Sequence, residues 1–283
     1  MSILSAIHLY PIKSCAGLSL TRTQIGPLGL ALDRHWMLVD HQGRFLTQRN
    51  HPQMACIVPA FEGERLVLRA PGMPALSLAA QGEEAEAGAV LPVQVWNSRV
   101  DALDQGPVAA QWCSDYLGEA VRLVRFNPAA ARPCSTRWTE GRQAYTQFSD
   151  GYPLLVIGQA SLDDLNARLT AKGAPALGME RFRPNLVIGG LEAYDEDHIS
   201  TLTLGQVQLR LVKPCARCPV PGIDQRTGLR DARWPDEPLD TLAAYRADPR
   251  VDGGLTFGQN AIVSGGEGGT IEVGQAVQWE WNF

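Results

Sequence analysis

Trp36-Met37-Leu38-Val39-Asp40, His41-Gln42-Gly43 and Arg44-Phe45-Leu46-Thr47-Gln48 read in succession as strand, turn and strand. An apolar run is cut by three turn-forming residues and followed by a second run of similar character, which predicts an antiparallel hairpin. The same reading extends along the first hundred residues. RLVLR at 65–69 and LPVQVW at 91–96 are further strands, and Pro71-Gly72 stops the first of these.

Later in the chain Val207, Leu209 and Leu211 alternate with Gln206, Gln208 and Arg210. TIEVGQAVQWEW, at 270–281, alternates Ile271, Val273, Val277, Trp279 and Trp281 around a Gly-Gln turn. Three helices interrupt this period of two. One spans about 107–117, with Val108, Trp112 and Tyr116 on a shared face and Gly118 as its stop. A second opens at Ser161-Leu162-Asp163-Asp164, read as a capping box, and continues through Leu165 and Leu169. A third covers 238–246, with Pro238 near its start. QGEEAEAG, at 81–88, reads as a solvated acidic loop. The fold class is mainly β (α+β), with short strands curled into closed antiparallel sheets. The 283 residues suit two moderate domains, 1–120 and 121–283, with no internal repeat or heptad.

Composition excludes several function classes. With 25 Lys plus Arg against 30 Asp plus Glu, the net charge of −5 offers no general field for nucleic acid or an anionic membrane, so neither is an expected partner. No segment approaches a membrane span or a signal-peptide core. Cys15, Cys56, Cys113, Cys134, Cys215 and Cys218 are dispersed apart from one pair, which points to free thiols in a reducing compartment, the cytoplasm.

That pair lies in Lys213-Pro214-Cys215-Ala216-Arg217-Cys218-Pro219-Val220-Pro221-Gly222-Ile223-Asp224, read as a proline-stiffened extended loop following a strand that ends at Val212. Four readings are open. A structural zinc site needs a second ligand pair, which the chain lacks. A thioredoxin-like dithiol needs a helix that the prolines deny. The remaining two are thiols simply packed under a loop, and one thiolate serving as ligand to a soft metal, with Arg217 beside Cys218 favouring its ionised form. A lone protein ligand requires a cofactor that brings the others. Cations for an anionic cofactor stand at Lys13, next to Ser14, in Tyr10-Pro11-Ile12-Lys13-Ser14-Cys15-Ala16-Gly17, and at Arg34 at a strand mouth, with Thr47 and Arg49 similarly placed. Arg183 and Asn185, two apart in a segment read as extended, point to one side, where a guanidinium fork and an amide suit a polar heterocycle. His8, His35, His41, His51 and His198 show no ligand spacing, and Asp195-Glu196-Asp197-His198 reads as a solvated loop.

YPIKSCAG, LDRHWMLVD with FLTQRNHP, FSDGYPLLVIGQASLDDLNARL, RFRPNLVI, KPCARCPVPGIDQRTG, FGQN and TIEVGQAV together resemble the MOSC domain proteins, in family order and over nearly the whole chain. That group is related to the C-terminal domain of molybdenum cofactor sulfurase and to the mitochondrial amidoxime-reducing component and its bacterial counterparts. The resemblance implies an N-terminal β-barrel-like domain and a MOSC β-barrel enclosing a molybdenum cofactor (Mo-molybdopterin). It implies that Lys13, Ser14 and Arg34 bind the cofactor near its phosphate, that Arg183 and Asn185 touch the pterin, and that Ala216 and Arg217 wrap the metal end. Cys218 becomes the thiolate ligand of molybdenum and the catalytic cysteine, and Asp150 a weaker contact. The implied activity is reduction of N-hydroxylated small molecules, with sulfur transfer or cofactor carriage through Cys218 or Cys215 as the alternative. Some bacterial relatives continue into a ferredoxin-like domain. This sequence reaches Phe283 directly after its last strand without plant-type cysteine spacing, so no iron–sulfur cluster is expected. Electrons are then expected from a separate flavoprotein reductase, ferredoxin or haem protein.

Overall fold

The Trp36–Asp40 strand forms as its apolar run predicts, and its burial explains why that run does not alternate. Trp36 and Leu38 face a core with Met54, Leu66, Leu68, Trp112 and Leu123, while Met37 and Val39 face a second core with Val93, Val95, Val124 and Phe148. A strand covered on both sides needs apolar residues at every position. In the computed structural model, which describes residues 1–282, this strand is the edge of a four-stranded antiparallel sheet continued by Val121–Phe126, Ser98–Asp104 and Val90–Val95. Residues 44–48 form no regular partner strand. Arg44 and Phe45 make isolated bridges to Gln94 and Val39, and the Asp40 carboxylate accepts the Gln42 and Arg44 backbone N–H groups at 2.8 and 2.9 Å to close the turn. The backbone then turns over 47–51, where the N–H groups of Asn50 and His51 bond the Thr47 carbonyl.

A nine-stranded sheet carries the second half. Its order is Gln278–Trp281, Ile199–Leu204, Val207–Ala216, Gly254–Gly265, Leu154–Gly158, Leu186–Gly189, Ile3–Leu9 and Leu18–Leu20, with Ala247–Asp248 added beside Gly254–Gly265. The expectation of purely antiparallel sheets is corrected at one place: Leu154–Gly158 pairs in parallel with Leu186–Gly189, because the Gln159–Ala171 helix carries the chain between them. Val207–Ala216 also runs four residues past the expected end, through Pro214, with register shifts at Leu211/Lys213 and Pro214/Ala216. Such irregularities accommodate a proline in a ladder. The chain crosses the 120/121 point in both directions, since Val121–Phe126 pairs with Trp36–Asp40 and Ile3–Leu9 pairs with Leu186–Gly189.

The helices match the sequence in place more than in detail. Gly106–Leu117 ends on Gly118 in the left-handed conformation as predicted, but Val108 is 70% exposed, and Ala109, Trp112, Cys113 and Leu117 are its buried face. Residues 81–88 contain a short helix, Gly82–Glu86, that buries Ala85. Leu162, Leu165 and Leu169 are buried as expected, each worth roughly 1.5–3 kcal/mol of transfer free energy.

Ser161, however, is no cap. It lies inside the helix, and its hydroxyl donates to Glu196 Oε2 at 2.7 Å while accepting the Tyr194 N–H at 2.8 Å. Glu196 takes the capping role from a distance. Its carboxylate accepts the Gly158 N–H at 3.1 Å at the helix N-terminus, where free donors and the macrodipole favour negative charge. The 195–198 segment is therefore not solvated: Glu196 is buried, and Asp197 pairs with Arg246 at 2.5 Å and accepts from Gln259 at 2.7 Å. Burial pushes the Glu196 carboxyl up, against the hydrogen bonds from Ser161 and Gly158. Removing the hydroxyl in Ser161→Ala leaves a buried carboxylate short of one donor, and it is expected to lower unfolding free energy by about 2 kcal/mol in urea denaturation.

Candidate functional site

One cleft of about 150 Å³ gathers every residue singled out in the sequence: Lys13, Ser14, Arg34, Asp150, Arg183, Asn185, Ala216, Arg217 and Cys218. Five cationic side chains, Lys13, Arg34, Arg49, Arg183 and Arg217, line it against a single carboxylate, Asp150, in a chain of net charge −5. A larger hollow of about 620 Å³ shares Arg183 with the cleft but holds none of the other eight.

The positions of these groups follow from local backbone. Ser14, Arg34 and Arg183 all adopt positive φ, at 66°, 46° and 57°. Such conformations cost on the order of 1–3 kcal/mol each and persist where surrounding contacts over-determine them. For Arg183 this corrects the extended reading: the residue turns sharply, and the Leu186–Gly189 strand begins only after it. The Arg34 guanidinium bonds Asp33 at 2.6 Å and the Arg183 carbonyl at 3.0 Å, and both Arg34 and Arg183 lie 4.3 Å from the centre of the Tyr10 ring. Gly17 lets that ring sit where it does, since a Cβ there would come within 2.4 Å of Tyr10 Cε1.

Arg183 donates to the Cys15 carbonyl at 2.7 Å and to Gln225 Oε1 at 3.3 Å, and its Nη2 is buried without a partner. Among the described residues no carboxylate pairs with it. Burial pushes its guanidinium down to about 10, with Tyr10 acting in the opposite sense, so it remains charged at neutral pH. Lys13 is buried, donating to the Phe148 carbonyl at 2.8 Å and to Asp150 at 2.5 Å, and burial lowers its ammonium while Asp150 raises it. Desolvation works against ionisation of Asp150, but the Lys13 charge and hydrogen bond and the Trp96 N–H, at 3.0 Å, hold its carboxyl far below the usual range.

The metal-loop residues depart from expectation in one respect. Arg217 bonds Cys215 Sγ at 3.1 Å and the Phe182 carbonyl at 2.6 Å, so its guanidinium attends Cys215 rather than Cys218. Both thiols are partly exposed and line the cleft. Asn185 lies in the wall with its amide engaged: Oδ1 accepts the Leu155 N–H at 3.1 Å and Nδ2 donates to the His8 carbonyl at 3.3 Å, leaving one N–H. Asp224 closes a turn, accepting the backbone N–H groups of Arg226 and Thr227 and the Arg181 guanidinium.

The donor set fits an anionic, metal-bearing cofactor. An orphaned Arg183 N–H, an excess of cations over carboxylates and a hydroxyl suit phosphate and heterocycle oxygens, while a cysteine such as Cys218 is a soft ligand. Among the described residues no group of three or more His, Cys, Asp or Glu could hold a metal ion, so a metal bound at Cys218 would take its further ligands from elsewhere than protein side chains of those types.

Comparison with known proteins gives the family of the chain. Residues 1–120 match the family model described as the MOSC N-terminal beta barrel domain, and residues 143–278 match the MOSC domain. The chain is 34% identical over 284 residues to mitochondrial amidoxime-reducing component 1 of Mus musculus, covering 96% of this chain and 80% of that protein. The chain belongs to the amidoxime-reducing component family of MOSC proteins. Mitochondrial amidoxime reducing component 2 of Rattus norvegicus is also 34% identical, over 87% of this chain and 73% of its own length. A molybdenum cofactor sulfurase of Danio rerio is 31% identical over 90% of this chain but only 31% of its own length. Within this MOSC fold the N-terminal part is β-barrel-like and the whole is mainly β.

Several residues of this family member escaped the sequence reading. Arg132, buried, clamps the carbonyls of Gln147, Ser149 and Asp150 and so shapes the loop beneath Lys13. Trp96 and Gln48 sit within the quoted runs LPVQVW and FLTQRNHP, but nothing in either run marks those residues for the cleft. His35, which shows no ligand spacing in the sequence, is the centre of a buried relay: Arg125 Nε donates to its Nε2 at 2.9 Å, and its Nδ1–H donates to Gln147 Oε1 at 2.6 Å, which fixes the neutral tautomer. Burial pushes the imidazole down to about 4, against the Gln147 hydrogen bond. A lowered folded-state value means that the unfolded chain binds the proton more readily. The stability that neutral His35 provides is full above about 6.5 and is lost as pH falls towards about 4, at about 1.4 kcal/mol per unit of pKa difference and up to about 3 kcal/mol in all. Urea denaturation at pH 7.5, 5.5 and 4.5 is expected to show this loss, and His35→Asn to flatten it.

Proposed function

We propose that this chain is a molybdenum cofactor-dependent oxidoreductase that reduces N-hydroxylated small molecules, such as amidoximes and hydroxylamines, to amidines or amines. The observation that carries this reading is a cation-lined cleft with two partly exposed thiols, of which Cys218, among the described residues, has no guanidinium on its sulfur, in a chain whose relatives are named amidoxime-reducing components. In the balanced reaction two electrons and two protons convert the N–OH group to N–H and water. The cofactor, when bound, supplies the two-electron couple and oxygen acceptor that side chains lack.

The chain's own residues bind and orient. Lys13, Ser14 and Arg34 hold the phosphate, with Asp150 setting the direction of the Lys13 ammonium. Arg183 and the remaining N–H of Asn185 meet the heterocycle, Ala216 and Arg217 border the metal end, and Cys218 Sγ is the protein ligand. Residues 1–120 thus supply the phosphate side, and residues 121–283 the pterin and metal side. Reducing equivalents come from a separate flavoprotein, ferredoxin or haem protein without an iron–sulfur cluster in this chain. Six free thiols suit a reducing compartment such as the cytoplasm. No helix of the described residues is long and apolar enough to cross a membrane.

A second reading rests on the Arg217 contact with Cys215. A guanidinium that donates to this sulfur would hold and orient a sulfur group bonded to it, and a persulfide carried there would make the chain a sulfur-transfer or cofactor-carrier protein, in line with its sulfurase-named relative. The two are separated by expressing the chain in a host that makes molybdenum cofactor, then measuring molybdenum and pterin per chain and viologen-driven amidoxime reduction. The intact chain is expected to carry both and to turn over. Cys218→Ala is expected to lose at least about tenfold in molybdenum, the loss that follows from removing a sole protein ligand. Arg183→Ala is expected to lose pterin as well. An intact chain with neither molybdenum nor pterin overturns the proposal, and metal without reduction but with persulfide transfer establishes the second reading.

A further inference from the structure

Gln48 and Gln225, 177 residues apart, face each other as a reciprocal amide pair. Gln48 Nε2 donates to Gln225 Oε1 at 2.9 Å, and Gln225 Nε2 donates to Gln48 Oε1 at 3.0 Å. Each amide has its orientation fixed by a carbonyl, which can only accept: Gln48 Nε2 also bonds the Ser14 carbonyl at 2.7 Å, and Gln225 Nε2 bonds the Ile223 carbonyl at 3.0 Å. Gln48 is fully buried, so these bonds form away from competing water.

The pair lies behind the cleft, bonded to Ser14 and Arg183 of its wall, and Gln225 itself lines the larger hollow beside it. The Ser14 carbonyl is held by Gln48, and the next carbonyl, of Cys15, is held by Arg183. Gln225 bonds both holders, accepting from Gln48 and from Arg183 Nη1. Ser14 and Arg183 are two of the three cleft residues with positive φ, and Gln225 is on the loop that follows Cys218. Positive-φ residues relax unless their neighbours fix them, and here one amide pair ties both to the loop after the thiol.

We infer that Gln48 and Gln225 are positioning residues that hold the Lys13–Ser14 turn, Arg183 and the Cys218 loop in binding geometry before the cofactor arrives. The inference deepens the cofactor reading and rests on it, while its main readout needs no cofactor. Hydrogen exchange of the metal-free chain is measured for wild type, Gln48→Met, Gln225→Met and the double variant, with molybdenum and pterin content measured in parallel after expression in a host that makes the cofactor. Each single variant is expected to lose about tenfold in protection at the Cys15, Ala16, Ile223 and Gly228 amides, with the Trp36–Asp40 and Leu186–Gly189 strands unchanged and with a matching fall in cofactor content. The double variant is expected to resemble the singles, because either change breaks the same pair.

Unchanged local protection overturns the inference. So does a loss spread evenly over the molecule, which marks a role in stability alone, or a double variant whose loss is the product of the singles. Where Gln48→Met does not fold, half-buried Gln225 decides the matter through Gln225→Met and Gln225→Ala. A wild-type chain without molybdenum or pterin refutes the cofactor reading, and the exchange data then still settle whether the pair orders the cleft.

Discussion

The packing of two guanidinium groups against one phenol ring sets the geometry on which the cleft depends. Arg34 and Arg183 come from segments about 150 residues apart, yet each lies 4.3 Å from the centre of the Tyr10 ring. Two like charges are brought together because the ring's π-face attracts both, Asp33 balances Arg34, and Arg34 in turn bonds the Arg183 carbonyl. Arg183 has no such balance. Its charge is answered by the Cys15 carbonyl and a glutamine oxygen, which leaves a buried cation whose best remaining partner is an anion from outside.

The same logic extends around the wall. Lys13 is the one cleft cation with a carboxylate that opens to the cleft, and that carboxylate, on Asp150, is 72% exposed at the side chain. A chain that is acidic overall therefore concentrates positive charge in one place and holds it there with backbone carbonyls: Phe148 for Lys13, Phe182 for Arg217, and those of Gln147, Ser149 and Asp150 for Arg132 beneath them. Carbonyls fix direction without cancelling charge, so the field of the cleft is preserved for a ligand.

How much of this was legible depends on distance along the chain. The Trp36–Asp40 and Arg65–Arg69 strands are written in local apolar runs, and the first six residues of Val207–Ala216 and the leucine face of Gln159–Ala171 in local periodicity, and structure and sequence agree there. Ser161 was misread because a capping box is a local pattern, while the group that serves the helix end, Glu196, arrives from 38 residues beyond Gly158. In the sequence nothing near Glu196, Asp197 or His35 shows that they are buried and bonded, since their partners Ser161, Arg246 and Gln147 are remote. The nine cleft residues stand in whole motifs, and so do Gln48 and Gln225, but what those two glutamines and Arg132 do for the cleft rests on contacts with backbone carbonyls and remote side chains, which leave no signature in a sequence. The positive φ of Arg34 and Arg183 was likewise invisible, because non-glycine residues rarely adopt it and nothing in their neighbours announces it.

The pairing of the first strand has a bearing on how the chain is made. Ile3–Leu9 is completed on one side by Leu18–Leu20 at once, but on the other only by Leu186–Gly189, about 180 residues later. At ribosomal speeds that is a wait of roughly 10–40 s during which an apolar strand edge stands open. The Tyr10–Gly17 turn, which follows directly from that strand, cannot take its final shape in the meantime. A nascent chain is thus obliged to shelter its own beginning, by chaperone or by provisional pairing, until most of the polypeptide has left the ribosome.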